Sequence, residues 1–272
     1  MCRLLGYVGQ PLALEALISH PPHSLVVQSY QPKEMTAGLL NADGFGVAWY
    51  DLGKSPYPFT YRSELPIWND VNLPSLQRYV VSDCFLAGIR SATPGQGFGW
   101  QNCPPYCFDR FSFIHNGFIE NFRTSLLRPM RSLLQDEFYH LIHGVTDSEH
   151  IFALLMQFYN DSQDLREALS LTIATVLRLS ERYGVRSALN IIVSDGVSLV
   201  ATRCASAAPV PSLYRLRTDY GLIVASEPLW EDQRWQGFPP HGTIVAQLQG
   251  GEVSLHAYQG NWLPSQDQKV PV

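Results

Sequence analysis

Met1-Cys2-Arg3-Leu4-Leu5-Gly6-Tyr7-Val8-Gly9 opens the chain. From Arg3 to Gly9 the run is almost wholly apolar and reads as a buried strand. Its first residues raise a chemical question. Loss of Met1 leaves Cys2 with a free α-amine, so one residue carries both a thiol and a base. An unperturbed α-amine has a pKa of about 7.7–8.0 and a thiol about 8.5, so the amine can take the thiol proton near neutral pH. Pairing a nucleophile with an N-terminal amine is an established means of activation. By position alone, Cys2 is a small residue beginning a strand. Motifs further along change that reading.

Composition sets the bounds. The chain has 272 residues, 46% hydrophobic and 16% charged, enough apolar material for a sizeable core. A formal charge of −5 argues against a nucleic-acid or anionic-membrane surface. No run of 18 apolar residues marks a membrane span. Gly6, Gly9, Pro11 and Glu15 interrupt the opening run too early for a signal peptide, so a cytoplasmic location is expected. Five cysteines without regular spacing do not form a disulfide framework. Cys103 and Cys107 have no second pair to complete a zinc site.

Along the chain, Leu12–Ile18 reads as a short helix, Leu25–Tyr30 as a strand within a loop, and Phe45–Tyr50 as a strand after turn chemistry. Leu76–Val81 reads as helical and Cys84–Arg90 as a continuous apolar strand. Residues 94–107 are a proline- and glycine-rich loop, and Phe111–Ile114 a strand. Thr146-Asp147-Ser148-Glu149 fits a capping box ahead of the amphipathic stretch Ser148–Tyr159. A second helical periodicity runs from Leu165 to Leu179, with Gly184 placed to end it. Strands follow at Leu189–Val193, Ser198–Thr202, Leu222–Ala225 and Thr243–Gln247. Strands, a helical middle and strands again, with no linker or repeat, predict one α+β domain with helices covering sheets.

Four motifs follow Cys2. Asn41-Ala42-Asp43-Gly44-Phe45-Gly46 is a tight turn into a strand and shapes its surroundings rather than reacting. Ile89-Arg90-Ser91-Ala92-Thr93-Pro94 ends a strand on a guanidinium, which can hold a carboxylate through two parallel hydrogen bonds. Ile114-His115-Asn116-Gly117-Phe118 carries Asn-Gly between apolar runs, a strong hairpin-turn signal. An asparagine amide beside a glycine N–H also supplies the two donors of an oxyanion hole. If Cys2 carries its own base, His115 is expected to be packed structurally. Asp147 stands at a helix start, where the dipole favours the anion, and could bind an ammonium group.

Taken in order, Cys2, Asp43-Gly44, Arg90 with Thr93, His115-Asn116-Gly117 and Asp147 resemble the class II glutamine amidotransferase domain of the N-terminal-nucleophile hydrolases. The resemblance covers roughly residues 2–250, with residues 2–272 taken as a single domain. It implies a four-layer αββα sandwich. It implies that Cys2 is the nucleophile and its amine the base, and that Asn116 and Gly117 form the oxyanion hole. Arg90 would bind the glutamyl α-carboxylate with support from Thr93, and Asp147 the α-ammonium. Neither cofactor nor metal is implied. The partner is a small-molecule γ-glutamyl substrate, with no nucleic acid or membrane; a second copy of the chain is the other candidate partner.

Within the family, Met1–Gly6, Val27-Gln28-Ser29-Tyr30, Asn41–Gly44 and Arg90–Thr93 resemble the γ-glutamyl hydrolases of ergothioneine biosynthesis. Asn102-Cys103-Pro104 and Thr146–His150 also resemble the amidotransferase-like subunit that degrades glutathione in yeast. Ala225-Ser226-Glu227-Pro228 followed by Trp235 resembles both. The chain ends near its hydrolase region, which suggests hydrolysis of a γ-glutamyl amide rather than ammonia transfer in cis. His140 and His143 share a helical spacing, but nothing in the implied mechanism needs a metal there.

Overall fold

Strand β1 (Arg3–Ala13) explains the unbroken apolar opening, because both of its faces are covered. Leu5 and Tyr7 point into one core, Leu4 and Val8 into another. Gly6 faces the second core closely: a Cβ there would sit 3.1–3.2 Å from Leu199 and Ile192. The computed structural model describes residues 2–35, 38, 40–92 and 99–260, so Met1, Thr93 and the stretch 261–272 lie outside the described residues.

The remaining elements are, in order, α1 (Glu15–Ile18), α2 (Leu25–Tyr30), β2 (Phe45–Trp49), β3 (Phe59–Ser63), α3 (Leu73–Tyr79), β4 (Val81–Ile89), β5 (Tyr106–Phe108) and β6 (Phe111–Ile119). There follow α4 (Leu127–Arg131), α5 (Asp136–Tyr139), α6 (Asp147–Ser162), α7 (Leu165–Tyr183), β7 (Ser187–Ser194) and β8 (Ser198–Arg203). The chain continues through β9 (Tyr214–Arg217), β10 (Gly221–Ala225), β11 (Gln236–Gly237), β12 (Gly242–Gln249) and β13 (Glu252–Gln259).

The strands make two antiparallel sheets, ordered β11-β9-β10-β1-β4-β2-β3 and β13-β12-β8-β7-β6-β5. Three apolar clusters define the layers. One joins Leu4, Val8 and Leu86 of the first sheet to Ile114, Ile192 and Ile244 of the second. Another packs Leu17, Ile18, Leu25 and Leu73 from α1–α3 on the outer face of the first sheet. The third packs α6 and α7, through Ile151, Leu155, Ile173 and Val176, on the outer face of the second. Three cores between four layers are an αββα sandwich, as expected. No described helix is long and apolar enough to cross a membrane.

Both long helices carry their expected caps. Thr146 Oγ1 accepts from Glu149 N at 3.2 Å. The Glu149 carboxylate instead takes the N–H groups of His143 and Gly144 at 2.8 and 2.7 Å, so only half the capping box forms. Gly184 ends α7 at φ +64°.

Three expectations need correction. Leu25–Tyr30 is a helix, not a strand: Ser24 caps it by accepting from Val27 N, and Leu25, Gln28 and Ser29 are buried at helical spacing. Leu12 and Ala13 prolong β1, which leaves only Glu15–Ile18 helical. His115-Asn116-Gly117 is not a hairpin turn. It lies inside β6, which pairs with β7 without a slip from Ser112↔Ser194 to Ile119↔Ser187. Cross-strand pairing over eight residues outweighs the local turn preference of Asn-Gly.

Candidate active site

Cys2 and Arg90 meet because of strand register. β1 and β4 are antiparallel neighbours with Arg3 opposite Ile89, so the residue before Arg3 and the residue after Ile89 leave the sheet together. Gly117 from β6 and Asp147 from the start of α6 come from the second sheet and its helical cover. Cys2, Arg90, Gly117 and Asp147 border one small cavity at this junction.

The Arg90 backbone is held on both sides. Its N–H donates to Gly44 O at 2.8 Å, its carbonyl accepts from Asp43 N at 3.2 Å, and Asp43 Oδ2 accepts from Ala92 N at 2.8 Å. The turn at 41–46 therefore shapes the site through main-chain contacts. Gly44 makes this possible: its φ is +105°, and a Cβ would lie 2.5 Å from Cys103 Sγ.

The Asp147 carboxylate is anchored by two backbone N–H groups. Oδ2 accepts from Ile119 N and Oδ1 from Ser148 N, both at 2.8 Å. These two bonds fix the orientation of the carboxylate at the start of α6. Asn102, which sequence reading gave no role, stands behind this segment, with its Oδ1 accepting from Val145 N at 3.1 Å.

Asn116 is fully buried behind the cavity, and its amide nitrogen lies 3.3 Å from Ser226 Oγ. Ser226 ties the site to β1: its hydroxyl accepts from Leu4 N and its N–H donates to Leu4 O, both at 3.0 Å. Gly117 admits no side chain, because a Cβ would fall 1.8 Å from Ala188 O and 2.4 Å from His115 Nε2. His115 is engaged at both nitrogens. Nε2 donates to Ala188 O and Nδ1 accepts from the Ser148 hydroxyl, each at 2.9 Å. Burial pushes its pKa down, against the opposing pull of Asp147 and of the bond to Ala188. A neutral imidazole with no free nitrogen is a structural histidine.

The other thiols are poor nucleophiles. Burial pushes Cys103 up to about 11 and Cys84, Cys107 and Cys204 up to about 12, so all stay protonated at neutral pH. Cys2, half-buried on the cavity with Sγ 3.9 Å from Ser91 O, is the exception by position.

Next to Cys2 lies a buried ionic cluster that sequence reading did not assign. Arg3 Nη2 is 3.3 Å from Glu227 Oε1. Glu227 Oε2 is 2.6 Å from His23 Nε2, and the carboxylate also accepts from the N–H groups of Lys33 and Glu34. Burial raises the Glu227 pKa, but these donors and Arg3 outweigh it and hold it below the usual value. The sequence signals were the resemblance carried by Ala225-Ser226-Glu227-Pro228 and the polar pair Ser226-Glu227 following the apolar strand β10. His140 and His143 join no metal-binding group: among the described residues, no three His, Cys, Asp or Glu side chains gather to hold an ion.

Comparison with known proteins agrees with this geometry. The family described as class-II glutamine amidotransferases matches residues 1–215. A Saccharomyces cerevisiae protein named probable glutamine amidotransferase DUG3 is 30% identical over 94% of this chain and 84% of its own length. The γ-glutamyl-hercynylcysteine sulfoxide hydrolase of Mycobacterium tuberculosis is 30% identical over 92% of this chain and 94% of its own. A solved class-II domain protein from Silicibacter pomeroyi superposes with a TM-score of 0.69 at 27% identity, covering 95% of this chain and all of that one. The phosphoribosylpyrophosphate amidotransferase of B. subtilis shares the fold, with a TM-score of 0.64 at 13% identity over 49% of its chain. The chain belongs to the class-II glutamine amidotransferases.

Proposed function

We propose that this amidohydrolase cleaves γ-glutamyl amides through a thioester on Cys2, and that its substrate is a γ-glutamyl-cysteinyl sulfoxide conjugate of trimethylhistidine. The observation that carries the first part is the convergence of Cys2, Arg90, Gly117 and Asp147 on one cavity. The second part is supported by the 30–31% identity to hydrolases named for that compound, in two mycobacterial species.

With Met1 removed, the Cys2 amine takes the thiol proton and the thiolate attacks the γ-carbonyl carbon. The carbonyl oxygen becomes an oxyanion, met by the Gly117 N–H and the Asn116 amide. The amine returns its proton to the leaving nitrogen as the C–N bond breaks, leaving a glutamyl thioester. Water then adds to the thioester with the amine as base, and glutamate leaves as the thiol is restored. Arg90 holds the α-carboxylate, Thr93 supports it, and the anchored Asp147 receives the α-ammonium.

A second reading, a glutaminase or glutathione-degrading subunit, rests on the equal identity to the yeast amidotransferase. Comparing kcat/KM for glutamate release tests both. The sulfoxide conjugate should outcompete glutamine and glutathione. A preference for glutathione moves the assignment to the second reading, and no release from any γ-glutamyl amide overturns both.

A further inference from the structure

The cavity at Cys2 holds a hydroxyl that the proposed reaction does not use. Ser148, the second residue of α6, lines it beside Asp147 and is half-buried. Its Oγ lies 2.9 Å from His115 Nδ1 and 3.4 Å from Asp147 Oδ1. A hydroxyl has one proton and cannot donate to both. The other nitrogen of His115 decides between them. Nε2 lies 2.9 Å from Ala188 O, a carbonyl that can only accept, so Nε2 carries the ring proton. In the neutral imidazole Nδ1 is then a bare acceptor, and the Ser148 proton goes to it.

What Ser148 presents to the cavity is therefore its lone pairs. Among the described residues, no N–H or O–H group donates to its Oγ. Asp147 Oδ1, 3.4 Å away, is also an acceptor, so two oxygens stand side by side with no proton between them. The N–H groups of Ile119 and Ser148 take one site on each oxygen of the carboxylate, which has about four. Both neighbours thus keep capacity for a donor. The hydroxyl of Thr146, at the same helix start, is already engaged twice, by Tyr106 Oη at 2.9 Å and Glu149 N at 3.2 Å.

From this arrangement we infer that Ser148 Oγ is a second acceptor for the substrate α-ammonium, beside Asp147, and that His115 is the positioning residue that turns the hydroxyl's lone pairs towards it. The inference rests on the proposed placing of the α-ammonium at Asp147. An ammonium has three N–H donors and no acceptor, the complement of a carboxylate and a hydroxyl whose proton is committed elsewhere. One nitrogen can reach both oxygens across their 3.4 Å separation. The pair also sets specificity. Acylation of the α-amine removes its charge and two of its three N–H groups, so N-acyl γ-glutamyl amides are refused.

Calorimetric titration of the full chain with L-glutamate and with glutarate tests the inference. Glutarate keeps both carboxylates and lacks only the ammonium. The unmodified protein should bind L-glutamate more tightly. Ser148→Ala should weaken L-glutamate binding by about 10-fold or more, the effect of losing a hydrogen bond to a charged group, and leave glutarate binding unchanged. Ser148→Thr keeps the hydroxyl and should restore most of the L-glutamate affinity. Equal weakening of both ligands in Ser148→Ala would make the hydroxyl a support of the cavity and overturn the inference. So would L-glutamate binding indifferent to that substitution, or a threonine variant as weak as the alanine one. If the unmodified protein binds L-glutamate no better than glutarate, the ammonium site at Asp147 itself falls, a failure distinct from one confined to Ser148.

Discussion

Arg3 and Glu227 form an ion pair of 3.3 Å in which each side chain is only 1% exposed. The pair joins the residue after the proposed nucleophile to the turn after β10, and through Glu227 to His23, Lys33 and Glu34. Removing one partner strands a buried charge. Glu227→Ala should therefore cost about 3–5 kcal/mol in denaturant-monitored stability. Glu227→Gln, which keeps the shape but loses the charge, should cost less and should lower kcat by shifting the start of β1. A loss below about 1 kcal/mol in the alanine variant would show that the pair contributes little.

Asp147 holds backbone N–H groups in the fold and, in the proposed reaction, the substrate ammonium, and the two roles separate by experiment. Both carboxylate oxygens accept backbone N–H groups, so an amide in its place must turn an NH2 towards a donor. Asp147→Asn should lower stability by about 1–3 kcal/mol. It should also lower kcat/KM by about 10- to 100-fold through loss of the charged bond to the α-ammonium. Arg90→Ala should produce a similar kinetic loss. An α-linked glutamyl peptide, whose α-carboxylate is consumed in the peptide bond, should not be cleaved by the unmodified enzyme. Equal rates on α- and γ-linked substrates would remove Arg90 from its role.

Asn116→Ala should lower kcat by roughly 10²–10³-fold with little change in ground-state binding. Ser226→Ala removes the hydroxyl beside the Asn116 amide and should lower kcat by a smaller factor. A rise in KM alone, with kcat intact, would make Asn116 a structural residue of β6.

His150 gives the fold a defined pH response. Nδ1 donates to Thr146 O at 2.7 Å and Nε2 accepts from Arg131 Nε at 3.0 Å, so the bonded ring is neutral. Burial, aided by Arg131, pushes its pKa down to about 4. Below the unfolded value of about 6.5, the unfolded chain binds a proton that the folded chain does not. Stability is thus unaffected above that pH and falls as pH drops from about 6.5 towards 4. Between pH 7 and 5 the loss should be on the order of 2 kcal/mol for this histidine. Urea unfolding at both pH values should show it, and His150→Asn should flatten the difference. An unchanged slope in that variant would assign the pH response to other groups.

The layers of the fold were legible because β1, α6 and α7 carry their burial in their periodicity. The caps at Thr146 and Gly184 were legible because they are local. The two short readings failed for different reasons: at Leu25–Tyr30 the local cap of Ser24 went unread, while at Asn116-Gly117 the local turn preference is overruled by pairing with β7. Gly117 is glycine because Ala188 O approaches it across the sheet, not because a turn needs it. Arg3 with Glu227, and Asn116 with Ser226, are contacts between opposite ends of the chain. Composition and spacing carry no signal for such pairs. The order of the motifs pointed to Cys2, Arg90, Gly117 and Asp147; Asn102, Ser226 and Glu227 also stood in motifs, but what they hold in place is visible only once the chain is folded.

The central claim is that Cys2, freed of Met1, is the nucleophile. Intact-mass measurement and peptide mapping after incubation with a glutamine-analogue electrophile test it most directly. The expected result is one adduct per chain, on Cys2 of a protein lacking Met1, absent in Cys2→Ala and in a protein whose N-terminus is blocked. Labelling on another cysteine, or full labelling and turnover with Met1 retained, would contradict the account.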